Sequence, residues 1–356
     1  RTPYRFNIFD YSVSGPIYIP GKFNRDRSKL FFFFSQEHQR QLINVSSRTV
    51  LVPTALERQV DFSQSYDVNG RRRTIYDPQA NQTPFPGGVV PASRISKIGQ
   101  ALLNQFPLPN FVDPAESRRY QWNYISALSY DNPRRNSMVR IDYSPRQNIQ
   151  IFGRYITYWD DSAPWYSSWV NGSVNYPLTS VVYRLPGRGY SFRSTVTLTP
   201  SLFNEATFGM SENRTQYFPT NMNAVTRKGT GINVASWYPT SNFADLVPNF
   251  SFGISNSATL YLDRRISSYL NYINFNPTYS FADNLSKTYG SHAFKCGVYV
   301  ERASVAPFAE TEVRGSVVFN VDRTNPLDTN YAYTNALVGN YLSYSQSNLQ
   351  PVVKLR

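Results

Sequence analysis

Connections of two sharply different lengths alternate along this chain, and that alternation limits the available folds more than any other feature. Segments with the period-two pattern of half-buried strands read at 137–144 and 148–158, joined by the tight Ser144-Pro145-Arg146-Gln147. Two more, 188–199 and 203–216, are joined by Pro200-Ser201-Leu202. A third pair, 264–277 and 289–301, shares the modest turn Asp283-Asn284-Leu285-Ser286-Lys287. Between these hairpins lie long polar, aromatic or Pro-rich stretches, 52–135, 159–187 and 217–263. Soluble domains rarely carry structureless loops of such length. Short turns on one side of a bilayer and long loops on the other are the habit of outer-membrane barrels. If 10–19 runs toward the short-turn side, the turn 21–28 lies there and the strand from Lys29 returns. Every later connection then falls on the side its length requires.

Within the strands, apolar and polar residues take opposite faces. Tyr190, Phe192, Val196 and Leu198 share one face, with Ser191, Arg193, Thr195 and Thr197 on the other. Ala206, Phe208 and Met210 oppose Glu205, Thr207, Gly209 and Ser211, and Val139, Ile141 and Tyr143 oppose Met138, Arg140 and Asp142. Phe294, Cys296, Val298 and Val300 oppose Lys295, Gly297, Tyr299 and Glu301. A weaker case sets Tyr269, Ile273 and Phe275 against Leu270, Tyr272 and Asn274. In a bilayer every backbone N–H and C=O must be paired, so a sheet has to close. The expected fold is therefore all-β: an antiparallel transmembrane β-barrel, of which this chain supplies roughly ten strands with long extracellular loops. Nearly no helix is expected outside 52–135, within which 95–106 has a helical pattern.

Composition agrees. Aromatic residues make up 16% of the chain, a bias toward strands, while the longest apolar run, 30–34, is far too short for a membrane helix. In a barrel two of the four phenylalanines at 31–34 point inward, against a plug. Tyr155, Tyr158, Trp159, Trp165 and Trp169 suit an interfacial girdle. The net charge of +13 raises nucleic acid as a partner, but the basic residues are dispersed, with one triplet at Arg71-Arg72-Arg73. No nucleic-acid partner is expected.

Nor is an enzyme. His38 and His292 are the only histidines, and neither sits in a motif with a nucleophile and an orienting acid. Cys296 alternates with Phe294 and Val298 and faces lipid rather than a metal. Gly87-Gly88 and Gly187-Arg188-Gly189 read as turn glycines, because a phosphate loop needs a strand-to-helix context and a Lys. No catalytic, cofactor or metal residue is assigned. The functional candidates are the inward charges Arg140, Asp142, Arg154, Arg193, Glu205, Lys295 and Glu301, expected to line a lumen, and the loop 52–135, expected to face a ligand or cap the barrel mouth.

Specific motifs add a resemblance. Ser12-Val13-Ser14-Gly15-Pro16-Ile17 followed by Lys29-Leu30-Phe31-Phe32-Phe33-Phe34-Ser35-Gln36-Glu37 resembles early barrel strands of TonB-dependent receptor-like proteins of the Oar-like type, the carboxypeptidase-regulatory-like domain-containing family. Val52-Pro53-Thr54-Ala55-Leu56-Glu57-Arg58, Asp61-Phe62-Ser63, Ile75-Tyr76-Asp77-Pro78, Pro84-Phe85-Pro86-Gly87 and Val90-Pro91-Ala92-Ser93-Arg94-Ile95 follow in family order. So do Gly99-Gln100-Ala101-Leu102-Leu103, Phe106-Pro107-Leu108-Pro109-Asn110, Asp131-Asn132-Pro133-Arg134-Arg135 and Arg140-Ile141-Asp142-Tyr143. The resemblance is concentrated in 10–145. It implies a barrel of about 22 strands preceded by a plug, of which residues 1–356 are an internal piece without plug or N-terminal domains. The opening at Arg1 and the polar close at Lys354-Leu355-Arg356 fit that expectation. The implied partners are outer-membrane lipid, the energy-coupling TonB system acting through the plug, and a bulky solute. The alternative is a secreted or surface β-rich module that grips glycan or protein through aromatic loops.

Overall fold

A computed structural model describes residues 4–165, 181–260, 272–304 and 312–348. In chain order the strands are β1 (Arg5–Pro16), β2 (Leu30–Val50), β3 (Tyr76–Asp77), β4 (Thr83–Pro84), β5 (Tyr124–Arg146), β6 (Ile149–Trp165) and β7 (Val181–Arg184). Then come β8 (Gly187–Thr199), β9 (Leu202–Pro219), β10 (Asn249–Phe252), β11 (Tyr272–Tyr289), β12 (His292–Ala303), β13 (Ser316–Phe319) and β14 (Ser343–Ser345). Among the described residues are also four short α-helices, α1 (Ala55–Arg58), α2 (Lys97–Asn104), α3 (Arg227–Thr230) and α4 (Ala332–Val338), and three single turns of 3-10 helix.

Nine of these strands form one sheet, ordered β1-β2-β5-β6-β7-β9-β11-β12 with β8 also between β6 and β9. β7 and β8 are one span interrupted at Leu185-Pro186, since Leu185 N donates to Asp160 O at 3.0 Å and Arg214 N to Pro186 O at 2.9 Å. Each of the resulting spans pairs antiparallel with its sequence neighbour, an up-and-down meander. Among the described residues the sheet has eight spans, where roughly ten are expected from the spacing. Strands at 249–252, 316–319 and 343–345 form a separate small sheet.

The turns at one end are short: Gln147-Asn148, Pro200-Ser201 and Gly290-Ser291, together with 17–29. Asn24, at φ 51°, clasps the longest of them, donating to Ile17 O and Leu30 O and accepting from Lys29 N. The reversal expected at Asp283 to Lys287 is not there; those residues continue β11, and the chain turns at Gly290, whose φ of 58° suits a residue without a side chain. Asp283 stays in the ladder, accepting from Asn204 Nδ2 at 2.8 Å. Likewise Gly187-Arg188-Gly189 is not a turn but the start of β8.

At the opposite end the long connections fold. Residues 51–123, 220–260 and 312–348 build a lobe with its own core, in which Phe62, Leu102, Leu103, Phe106, Phe250, Tyr333 and Leu337 are buried together. Each such side chain contributes about 1.5–3 kcal/mol on leaving water. β13 lies between β10, parallel to it, and β14, antiparallel. Helix α2, capped by Ser96 accepting from Gly99 N, packs on α4, which ends at Gly339 in the left-handed region. Outside 52–135 helix is limited to the short α3 and α4. The loop itself runs 51–123, since β5 begins at Tyr124. Buried Asn335 holds the 312–348 stretch in shape, accepting from Thr329 N and Oγ1 and donating to Asn320 O and Asp328 Oδ2.

Candidate functional site

The register carries the alternation across the whole sheet. Gly15, Phe32, Ile141, Gly153, Phe192, Phe208, Phe281 and Val300 are successive partners, so they form one apolar row across eight spans. One residue along, Ser14, Phe33, Arg140, Arg154, Ser191, Gly209, Ser280 and Glu301 form a polar row on the opposite face. The polar face is the concave one: a groove of ≈ 740 Å³ runs over it, walled by Asp10, Ser12, Ser35, Glu37, Met138, Ile156, Gly189 and Ser211 from six neighbouring spans. As the phenylalanine run requires, Phe31 and Phe33 lie on this face and Phe32 and Phe34 on the other.

All seven charged residues singled out from sequence occupy polar-face positions. Arg140, Arg154 and Glu301 share the row above; Asp142 and Arg193 lie in the next, through Phe152. Glu205 follows between Thr195 and Asn284, and Lys295 opposite Ser286 near the short-turn end. Four of them gather around one ring. Arg140 stands over Phe152 at 4.5 Å and Arg193 at 5.5 Å. Arg140 donates to Asp142 through Nε at 2.8 Å and Nη2 at 2.7 Å, a two-pronged pairing that fixes the guanidinium plane. Arg193 lies 3.5 Å from Glu205 and donates to Thr207 Oγ1 at 3.3 Å. Arg154 is exposed beside Arg140 in the neighbouring span, two like charges directly across the ladder. Glu301 accepts from the Tyr299 hydroxyl, and Lys295 is remote from the cluster.

Sequence reasoning missed part of the groove. Glu37 accepts from Gln39 Nε2 at 2.7 Å and Asn136 Nδ2 at 3.1 Å, and Tyr158 donates to Asp160, which also pairs with Arg134 at 3.0 Å. Continuing the period-two count from Phe33 through Ser35 to Glu37, and from Arg154 through Ile156 to Tyr158, would have found them. The same count corrects the girdle: Tyr155 and Trp159 take the convex face but Tyr158 the concave one. Trp169 lies outside the described residues, and so does the side chain of Trp165.

The lobe holds a second, apolar hollow of ≈ 280 Å³ between α2, α4 and the strands β10 and β13. Ile98, Leu102, Val234, Phe250, Phe319 and Ala336 floor it, and Trp237, Tyr341 and Tyr344 stand around it. Trp237 packs edge-on against Tyr344 at 4.8 Å. Burial raises the Tyr344 hydroxyl above the usual phenol range. Among the described residues no three His, Cys, Asp or Glu side chains gather as a metal site would require.

The outer membrane transporter YddB from Escherichia coli is similar to 90% of this chain with 7% identity and a TM-score of 0.41, and the chain spans 28% of that transporter's length. No curated protein matches the chain in sequence. The family described as outer membrane beta barrel domain matches residues 1–356. A sheet apolar on its convex face and charged on its concave one is what that family's setting demands of a strand. With its whole length matched, this protein belongs to the outer membrane β-barrel domain family, and its place is the outer membrane.

Proposed function

We propose that the chain is the receptor and lumen wall of a TonB-dependent-type transporter of the Oar-like group, for a bulky solute. The observation that carries this reading is the pairing of a charged concave face with a folded lobe at the long-loop end. A barrel wall that only anchors a protein has no need of buried cores in its loops, whereas a receptor needs a preformed surface to select what enters. In this reading Arg140, Asp142, Arg154, Arg193, Glu205, Lys295 and Glu301 line the lumen and meet the plug or the passing solute. The inward Phe31 and Phe33 pack on the plug. Motif order over 10–145 supports the family assignment, and through it coupling to the TonB system.

The test is accumulation of candidate solutes by cells expressing the full-length protein, with and without the energy-coupling protein. Uptake that requires both, and that is lost when 312–348 is removed, is the expected result. Equal uptake without the coupling protein would overturn the energy-dependent reading.

A further inference from the structure

The convex face does not remain apolar to its end. Beyond the stacked Tyr155 and Tyr190, whose rings lie 4.8 Å apart, the next row toward the lobe is Tyr11, Gln36, Ser137, Thr157, Arg188, Glu212 and Pro277. Two arginines on this face grip one carboxylate. Arg188 Nε lies 2.7 Å from Glu212 Oε1 and its Nη2 donates to Oε2 at 3.1 Å, while Arg214 donates from Nε at 3.1 Å and approaches with Nη2 at 3.0 Å. The Glu212 side chain is 2% exposed, yet those of Arg188 and Arg214 are 40% and 37% exposed. The carboxylate is covered and neutralised, and one positive charge is left over on two outward-facing guanidiniums. Exposed Arg135 adds another from the row of Trp159, and Arg214 is steadied over Phe275 at 5.1 Å.

Depth decides what meets these charges. A tilted membrane strand crosses the hydrocarbon in about 9–11 residues, and Arg188 stands at about that distance from the Pro200-Ser201 turn. Tyrosines such as Tyr155 and Tyr190 mark the headgroup level. Arg188 and Arg214 therefore sit where the outer leaflet changes from acyl chain to headgroup, facing lipid and not the lumen. Planar guanidiniums held at fixed spacing match phosphate oxygens in two-pronged fashion, which a lysine does not.

We propose that Arg188 and Arg214, organised by Glu212, form an outward-facing site for the phosphate-bearing headgroup of an outer-leaflet lipid. The site rests on the outer-membrane placement and is independent of what the lumen carries. The test uses the full-length protein refolded in a neutral detergent, followed by heat-modifiable mobility, with phosphatidic acid, diacylglycerol or inorganic phosphate added. Phosphatidic acid is expected to raise the unfolding midpoint, diacylglycerol and inorganic phosphate are not, and R188Q/R214Q is expected to weaken half-saturation about tenfold or more. Should that variant fail to fold, R188K/R214K keeps both charges on Glu212 and is expected to bind more weakly than the parent. Protection by diacylglycerol equal to that by phosphatidic acid would overturn the site. Equal protection by inorganic phosphate would also overturn it, showing a soluble-anion site instead. Unchanged half-saturation in the variant that folds would do the same. Absence of any heat-modifiable form of the unmodified protein would instead sink the barrel placement on which the site rests.

Discussion

Gly99 of helix α2 lies so close to Ala336 of α4 that a β-carbon placed on it would stand 2.0 Å from the Ala336 carbonyl oxygen. Backbone, not a flexible side-chain end, occupies that space, so nothing can swing aside. The helices meet at this distance because position 99 has no side chain, and the apolar hollow beside them takes its shape from that approach. Gly99→Ala is expected to separate α2 from α4 and destabilise the lobe by about 1–3 kcal/mol, the usual cost of overpacking. Gly153→Ala, with nothing within 4 Å, is expected to be neutral. Limited proteolysis of the two variants in detergent compares them: rapid cleavage within 51–123 for Gly99→Ala alone is the expected pattern.

The two faces of β11 predict opposite responses to one substitution. Phe281 lies between Phe208 and Val300 in the apolar row, and Ser280 between Gly209 and Glu301 in the polar one. An arginine facing lipid near the bilayer midplane costs about 2–4 kcal/mol, and one in a wet interior much less. Phe281→Arg is expected to prevent insertion of the full-length protein, while Ser280→Arg folds and reaches Glu301 across the ladder. Folding yield into liposomes separates them. Equal yields would show that the convex face does not meet lipid.

The ion pairs on the concave face are expected to contribute little to folding. Arg193 and Glu205 are 42% and 29% exposed at 3.5 Å, a geometry worth about 0–1 kcal/mol in high dielectric. A double-mutant cycle of Arg193→Ala and Glu205→Ala on the unfolding midpoint should therefore give a coupling of that size. The same variants are expected to alter the charge preference of solute or ion passage more than stability. A coupling of several kcal/mol would make the pair structural.

The lobe also makes a prediction about alkaline pH. Burial raises the phenols of Tyr331 and Tyr333 well above their usual range, with the carboxylate of Glu57 adding to the effect. A group whose pKa is raised by folding stabilises the fold fully below its unfolded value, about 10 for tyrosine, and that contribution is lost as pH rises above it. Both phenols should stay protonated until the lobe opens, so their tyrosinate absorbance is expected to appear in step with cleavage of 51–123. Tyr333→Phe removes one of them, together with the hydrogen bond to Leu51 O at 3.0 Å. Ionisation of both while the lobe remains intact would contradict the burial.

The sheet was legible in the sequence because a membrane strand must show its environment at every second residue, and Tyr190 to Thr199 does so almost without exception. The seven concave-face charges follow from the same count. The turn after β11 was misplaced because Asp283, Asn284 and Ser286 look like turn residues, while the choice between them and Gly290 lies in the pairing of Asp283 with Asn204 on the neighbouring span. Of the lobe, the periodic pattern at 95–106 foretold helix α2 but not what it packs against. The lobe's core joins Phe62, Phe250 and Tyr333, residues far apart in the chain, and only folding shows that they meet. The Arg188–Glu212–Arg214 cluster was hidden for a related reason: Gly187 and Gly189 suggested a turn where a strand begins.

That division has a kinetic side. The hairpins of the sheet close over turns such as Pro200-Ser201 and Gly290-Ser291, so each can form as soon as its two strands exist. The lobe cannot, because Tyr333 must find Leu51 across a sequence separation of 282 residues, and long-range contacts are slow to nucleate. The sheet is thus expected to form ahead of the lobe, which is completed only when 312–348 packs against 51–123. A chain lacking those residues would present an unfinished, protease-sensitive mouth, so protection of 51–123 from protease reports whether 312–348 has docked.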